Sequence, residues 1–252
     1  MIDYKKAIGI LSKSKIRIKD ETILTKNSLN RVCSKNVFSK FNYPSGNNAA
    51  FDGYAINSKD TIGLNKKKNK KFKILKTIAA GDNPNIKNIK KFNCVELMTG
   101  ALIPEKFDTI IPIEKIKHFP NKKKPKFIII DKKISKNNNV RFAGSDYKKG
   151  DKIIAAGEII NSSHILAFKS LGIEKIIVKK KPLIVFYSTG NEISEKTNIP
   201  NWKVRNSNIH YIKSLSKNLF FNIIDGGILR DNNDKLFKKI ITKNFKSKYD
   251  II

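Results

Sequence analysis

The chain has 252 residues, 40% of them hydrophobic and 9% aromatic, enough to bury a sizeable core and too apolar for global disorder. Lys and Arg number 52 against 21 Asp and Glu, a formal net charge of +31 at pH 7. The lysines spread over the whole length among Asn and Ile, with no arginine-rich stripe and interleaved aromatics, so no specific nucleic-acid partner is expected.

Cys33 and Cys94 lie far apart and suggest neither a disulfide framework nor a zinc site. His118, His164 and His210 lack metal-ligand spacing and read as surface or filler residues. No stretch is long and apolar enough for a signal peptide or a membrane span, which predicts a soluble cytoplasmic protein without a membrane partner.

In chain order, Tyr4, Ala7, Ile8, Ile10 and Leu11 behind Asp3 predict a first helix over 3–12. A second short helix is expected around Ser28–Val32, then an extended run from Val37 to Tyr43. Pro44-Ser45-Gly46-Asn47-Asn48 forces a loop before Ala49-Ala50-Phe51-Asp52-Gly53-Tyr54-Ala55-Ile56. Residues 57–140 read as β-rich, with strands at Phe72–Ile78, Cys94–Met98, Thr109–Ile113 and Phe127–Ile130 separated by Gly- and Pro-containing turns. The lysine run 66–71 reads as a solvated loop.

Beyond Val140–Asp146, Ser162 to Gly172 has hydroxyls at its start, helical apolar spacing and a terminal Gly, predicting another helix. Ile176-Ile177-Val178 reads as a strand. From Leu183 the pattern becomes β-α-β-α-β, a parallel sheet with crossovers. The apolar run Leu183–Tyr187 is its first strand. A helix capped at Asn206-Ser207 then carries Ile209, Ile212, Leu215, Leu219 and Phe220. Asn222-Ile223-Ile224 is the second strand, 225–231 a loop, and a helix begins at Asn233-Asp234 with Leu236, Phe237, Ile240 and Ile241 inward. Tyr249–Ile252 opens a third strand.

The fold class expected is therefore mixed α/β and multidomain. Residues 1–45 form N-terminal helices and a linker, 46–140 a β-rich inserted domain, 141–180 the return of the linker domain, and 181–252 a partial parallel-sheet βαβ domain.

In a parallel sheet the loops leaving neighbouring strand ends gather at one edge, so Ser188–Glu192 and Gly226–Asp231 should face one crevice. Glu192 and Asp231 could share a hard cation such as Mg²⁺, and the backbone N–H groups of Ser188, Thr189 and Gly190 could approach an anion. Equally, Thr189-Gly190 is a common turn, Asp231 precedes a helix, and Asp52-Gly53 is a common turn dipeptide with packing aromatics beside it.

Five segments in one order resemble a known family. Ala49-Ala50-Phe51-Asp52-Gly53-Tyr54-Ala55 is similar to the S-A-M-D-G-Y-A signature of molybdopterin molybdenumtransferases, the MoeA proteins related to the gephyrin E domain. Glu96–Pro104 resembles that family's I-M-T-G-A-P-L-P segment and Val140–Asp146 its V-R-x-x-G-E-D. Ser188–Ile193 is similar to S-T-G-D-E-L and Gly227–Asn232 to G-I-x-x-D-D.

The resemblance implies the last step of molybdenum cofactor assembly. Adenylylated molybdopterin and molybdate are the substrates, the metal enters at the dithiolene, AMP leaves, and Mg²⁺ assists. Carried over, Asp52, Thr99, Glu192 and Asp231 are the catalytic candidates, with Glu192 and Asp231 on the metal. It also implies a MogA-like parallel domain and a homodimer, in which the β-rich lobe of one subunit faces the α/β domain of the other. The adenylyltransferase of the same pathway is a candidate partner.

Asn191 stands for the family's Asp, Phe51 for Met, Ala49 for Ser, Gly46 for Asp and Ser145 for Glu. Family chains also continue past the strand matching Tyr249–Ile252 into an S-G-G-x-S-x-G loop and a further β domain. This reads as a C-terminally truncated member, and the isolated chain is expected to show little or no activity. The rival expectations are a non-catalytic remnant that binds pterin or dimerises, and a basic nucleic-acid-binding protein.

Overall fold

The computed structural model of the chain describes residues 2–14, 16–216, 220–232, 234–240, 242 and 248–252. Its backbone divides into two units, residues 38–152 and residues 1–37 with 153–252. In chain order the main elements are α1 (Tyr4–Lys13), β1 (Asp20–Leu24), β2 (Gly53–Ile56), β3 (Lys70–Ile78) and β4 (Asn93–Leu97). Then come β5 (Thr109–Pro112), β6 (Lys117–Phe119), β7 (Phe127–Ile130), α2 (Ser162–Ser170) and β8 (Lys175–Lys179). The last are β9 (Leu183–Thr189), α3 (Asn208–Ser216), β10 (Asn222–Leu229) and α4 (Asp234–Ile240).

Residues 38–152 carry a six-stranded sheet in the order β5-β2-β4-β3-β7-β6, with antiparallel neighbours except for the parallel pair β3 and β4. The four expected strands are present. Alternation explains how the sheet is covered, because successive residues of a strand face opposite sides. Tyr54, Ile56 and Cys94 join one apolar cluster with Phe72 and Ile128, while Ala55, Val95 and Leu97 join the other with Ile78 and Ile110. Three strands separate β2 from β6, yet the rings of Tyr54 and His118 meet edge-on with centroids 5.6 Å apart. The sheet is therefore strongly curled. β3 starts inside the lysine run, at Lys70, because Phe72 turns into the core while Lys70 and Lys71 stay outside.

In the other unit, β1 and β8 pair antiparallel from Asp20↔Lys179 to Leu24↔Lys175, above a core of Cys33, Ile154, Ile160, Phe168, Ile176 and Val178. α2 forms where the hydroxyls and terminal Gly place it. Its cap is Asn161, whose side chain accepts from the His164 backbone N–H while His164 Nδ1 accepts from the Asn161 N–H. His164 thus has a structural duty. α1 forms as expected, but Tyr4, Ile8 and Leu11, which share one face, are 78%, 47% and 67% exposed.

Three local expectations are corrected. Ser28–Val32 is not a helix: Asn30 adopts φ 61° and the backbone N–H groups of Asn30 and Cys33 go instead to the carbonyls of Ile160 and Glu158. The extended run from Val37 is strand only through Phe38, since the Ser39 hydroxyl turns back onto the Phe41 carbonyl. Asn222–Ile224 continues to Leu229, so most of the expected loop 225–231 is strand.

The glycine at 226 within that extension has a packing reason. β9 and β10 pair in parallel from Leu183↔Asn222 to Thr189↔Leu229, with a register shift between Phe186 and Ser188. The Tyr187 ring lies where any Cβ on Gly226 would fall, 2.4 Å from its Cε1, so a side chain there would push the strands apart. A parallel bridge from Ile251 to Ile184 adds the start of a third strand. Ile209, Val185 and Ile240 are buried in this part of the unit. Of the expected inward residues of the two helices, Leu215 and Phe237 are exposed instead, and Leu219 and Ile241 lie outside the described residues, as does Asn233 at the expected start of the second.

Candidate functional site

Within residues 38–152 three of the motif segments converge. Ala49 and the 100–101 turn exchange backbone hydrogen bonds, Ala49 N–H to the Ala101 carbonyl and Gly100 N–H to the Ala49 carbonyl, both 2.9 Å. Arg141 and Val140 pair with Asn48 and Ala49, and the Ala143 N–H donates to Asn47 Oδ1. At the exposed end of β2 and β4, Thr99 donates twice to Asp52 Oδ1, from its backbone N–H and from its hydroxyl, each at 2.7 Å. The hydroxyl first, then the amide, holds the Asp52 carboxyl below the usual carboxylate range. Arg141 and Asp146, from the third segment, pair with each other at 2.6 Å, and the Ser145 hydroxyl donates to Asp146.

In the other unit, the parallel strands β9 and β10 deliver the second set of candidates to one edge. The Gly190 N–H donates to the Leu229 carbonyl at 3.0 Å, and the Asp231 N–H reaches Asn191 Oδ1 at 3.3 Å. Arg230 locks the turn: its Nη1 sits 3.0, 3.0 and 2.8 Å from the carbonyls of Gly190, Asn191 and Ile193. The Glu192 carboxylate folds over Gly190, whose φ is +133° and whose missing Cβ would lie 2.5 Å from both carboxylate oxygens. Glycine is needed at 190 for both reasons. Asn191 in place of Asp keeps an acceptor for the Asp231 amide and removes one negative charge.

Of the anion-facing candidates, Ser188 is 6% exposed and its hydroxyl donates to Asn206 Oδ1 at 2.6 Å. Its side chain is committed inward; Thr189 ends the strand exposed, and Gly190, expected to offer its N–H to an anion, is buried with that N–H given to the Leu229 carbonyl. Two partners of this edge escape sequence reasoning. Asn206 reads there only as a helix cap, yet it bridges Ser188 to Glu195 Oε1. Arg230 is hidden in a variable position of its motif. Its signal is that it is one of five arginines (Arg17, Arg31, Arg141, Arg205, Arg230) in a lysine-dominated chain, where a planar fork of donors is the reason to prefer Arg.

Glu192 and Asp231 suit Mg²⁺, a hard cation that takes one or two protein carboxylates and fills its remaining positions with water and phosphate. The carbonyls of Gly190, Asn191 and Ile193 each already accept from the Arg230 guanidinium. Among the described residues no group of three or more His, Cys, Asp and Glu gathers as a metal site. None of the described helices is long and apolar enough to cross a membrane.

Residues 2–172 match the family model described as MoeA N-terminal region (domain I and II). Over its whole length the chain is 28% identical to a molybdopterin molybdenumtransferase of Staphylococcus epidermidis and 27% identical to one of Staphylococcus aureus, covering 58% of each. It spans well under two thirds of the length of these curated relatives. Crystal structures of a molybdopterin biosynthesis MoeA protein from Pyrococcus horikoshii share its fold at 24% identity. One has a TM-score of 0.83 over 95% of this chain and 60% of its own, the other 0.82 over 100% and 65%.

Proposed function

Because the chain belongs to the MoeA family, we propose that it serves molybdenum cofactor biosynthesis, acting on adenylylated molybdopterin and molybdate with release of AMP. The observation that carries this reading is the shared edge of β9 and β10, where Glu192 and Asp231 leave adjacent parallel strand ends. In open α/β sheets that edge is where ligands bind. The β9-α3-β10 unit is, on this reading, the opening of a MogA-like domain.

Each group has a physical task. Glu192 and Asp231 would hold Mg²⁺, which supplies charge neutralisation at the phosphate linkage whose breakage frees AMP. Arg230 keeps the turn 190–193 closed against the 229–231 segment, so the carboxylates are placed before substrate arrives. Thr189, exposed at the end of β9, lies on the anion side, while the Gly190 N–H stays committed to the Leu229 carbonyl. Asp52, ionised and fixed by Thr99, is an acceptor of set direction. The homodimer belongs to the same proposal; the exposed apolar face of α1, Tyr4, Ile8 and Leu11, is the kind of surface a second subunit would cover.

The test is binding of adenylylated molybdopterin to the chain, with and without Mg²⁺, in wild type, Glu192→Ala and Asp231→Ala. The expected result is Mg²⁺-dependent binding that each substitution weakens about tenfold or more, about 1.4 kcal/mol. Affinity unchanged in Asp231→Ala would remove the metal-site assignment.

A further inference from the structure

Next to the Ser188 turn, within the same unit, lies a cavity of about 380 Å³ whose walls include Ser194, Glu195, Thr197, Arg205, Asn206 and His210. Nothing in the proposed phosphate chemistry uses it. Its wall groups are organised rather than loose. Arg205 donates from Nε and Nη2 to one acceptor, the Thr197 carbonyl, at 3.1 and 3.0 Å, which fixes the plane of its guanidinium. Glu195 has one oxygen held by Asn206 Nδ2 and the other 4.0 Å from His210 Nε2. Asn206 is 6% exposed and is anchored from behind by the Ser188 hydroxyl, so the carboxylate is tied through one buried amide to the end of β9.

The charge pattern selects the ligand class. A phosphate would meet the Glu195 carboxylate, and a simple cation would meet Arg205 and the neighbouring Lys196. A flat neutral heterocycle with adjacent N–H donors satisfies both: its donor edge meets the carboxylate, and its π-face meets the guanidinium plane. An aminopyrimidinone edge, with an amino group beside a ring N–H, has that pattern. We propose that this cavity seats the pterin ring, with Glu195 accepting from the 2-amino group and N3–H and Arg205 lying against the ring face. This rests on the reading of the substrate as a molybdopterin and adds to it the residues that read the pterin. Asn206 is then a positioning residue, since it acts through Glu195.

The experiment titrates the 252-residue chain with 6-hydroxymethylpterin and with 6-hydroxymethyllumazine, which has oxygen in place of the 2-amino group, followed by pteridine fluorescence. AMP with Mg²⁺ is titrated in parallel by calorimetry. The expected result is a preference for the pterin of tenfold or more. Glu195→Gln should abolish that preference with AMP binding unchanged, and Arg205→Lys should weaken both pteridines alike. Preference retained in Glu195→Gln, or AMP binding without pterin binding in the wild type, overturns the cavity assignment alone. Absence of both pterin and AMP binding overturns the proposed function with it.

Discussion

Thr99 grips Asp52 twice through one oxygen, by its amide and its hydroxyl, both at 2.7 Å. Both bonds favour the ionised carboxylate, which is why its pKa lies below the ordinary range. Thr99→Val keeps the amide and removes the hydroxyl, the larger cause, so the Asp52 pKa should rise towards the ordinary carboxylate value; ¹³C-carboxyl titration reads this. A depressed pKa contributes stability above the unfolded value of about 3.9, and that stability is lost as pH falls through the folded value. The stability difference between wild type and Thr99→Val should therefore be widest above that pH and close in acid. A difference that grows on acidification would contradict the assignment.

Asn206 connects the buried Ser188 hydroxyl to Glu195. Asn206→Leu strands that hydroxyl without its acceptor, at a cost of about 1–3 kcal/mol. Urea unfolding should show the loss as a lower midpoint with an unchanged slope. Ser188→Ala, which removes the smaller partner, should cost less.

Arg230 serves three carbonyls from one nitrogen, and its guanidinium is held in the angle of the turn. A lysine ammonium also carries three N–H donors, but on a flexible stem that loses more conformational freedom per hydrogen bond formed. Arg230→Lys should speed hydrogen exchange at the Gly190 amide, which bonds to Leu229 across the strand pair, and weaken Mg²⁺-dependent AMP binding several-fold. Exchange and binding both at wild-type values would show that the turn does not depend on the arginine.

Gly190→Ala introduces a Cβ 2.5 Å from the Glu192 carboxylate at φ +133°. Backbone strain of this kind costs on the order of 1–3 kcal/mol, and the carboxylate must also move. Thermal unfolding should report the strain and AMP titration the displaced Glu192. Affinity for Mg²⁺ and AMP should fall even where the protein remains folded.

Much of this was legible in the residues. The parallel arrangement of Leu183–Tyr187 with Asn222–Ile224, and hence the convergence of 188–192 with 229–231, follows from an apolar run, a helical pattern and another apolar run. Pattern alone stopped β10 too early, because Asp225-Gly226-Gly227 has turn composition. Inside the strand, Gly226 leaves room for the Tyr187 ring of the neighbouring strand, a contact with no local signature. Ser28–Val32 departs from a helix for the same kind of reason: its Asn30 amide and the following Cys33 amide are claimed by Ile160 and Glu158, far away in the chain. Asp52 and Thr99 were identifiable as candidates, but their bond depends on strands β2 and β4 pairing Gly53 with Leu97. Among the arginines, Arg205 uses two nitrogens of its planar fork on one carbonyl, whereas Arg31, Arg141 and Arg230 each bond through a single nitrogen.

Shared cation binding by Glu192 and Asp231 is tested most directly by a double-mutant cycle, measuring AMP affinity in the presence of Mg²⁺ for wild type, Glu192→Ala, Asp231→Ala and the double variant. Two carboxylates on one ion must couple, so the predicted interaction energy exceeds about 0.5 kcal/mol and vanishes when Mg²⁺ is withheld. Strictly additive losses that persist without Mg²⁺ would contradict a common metal site.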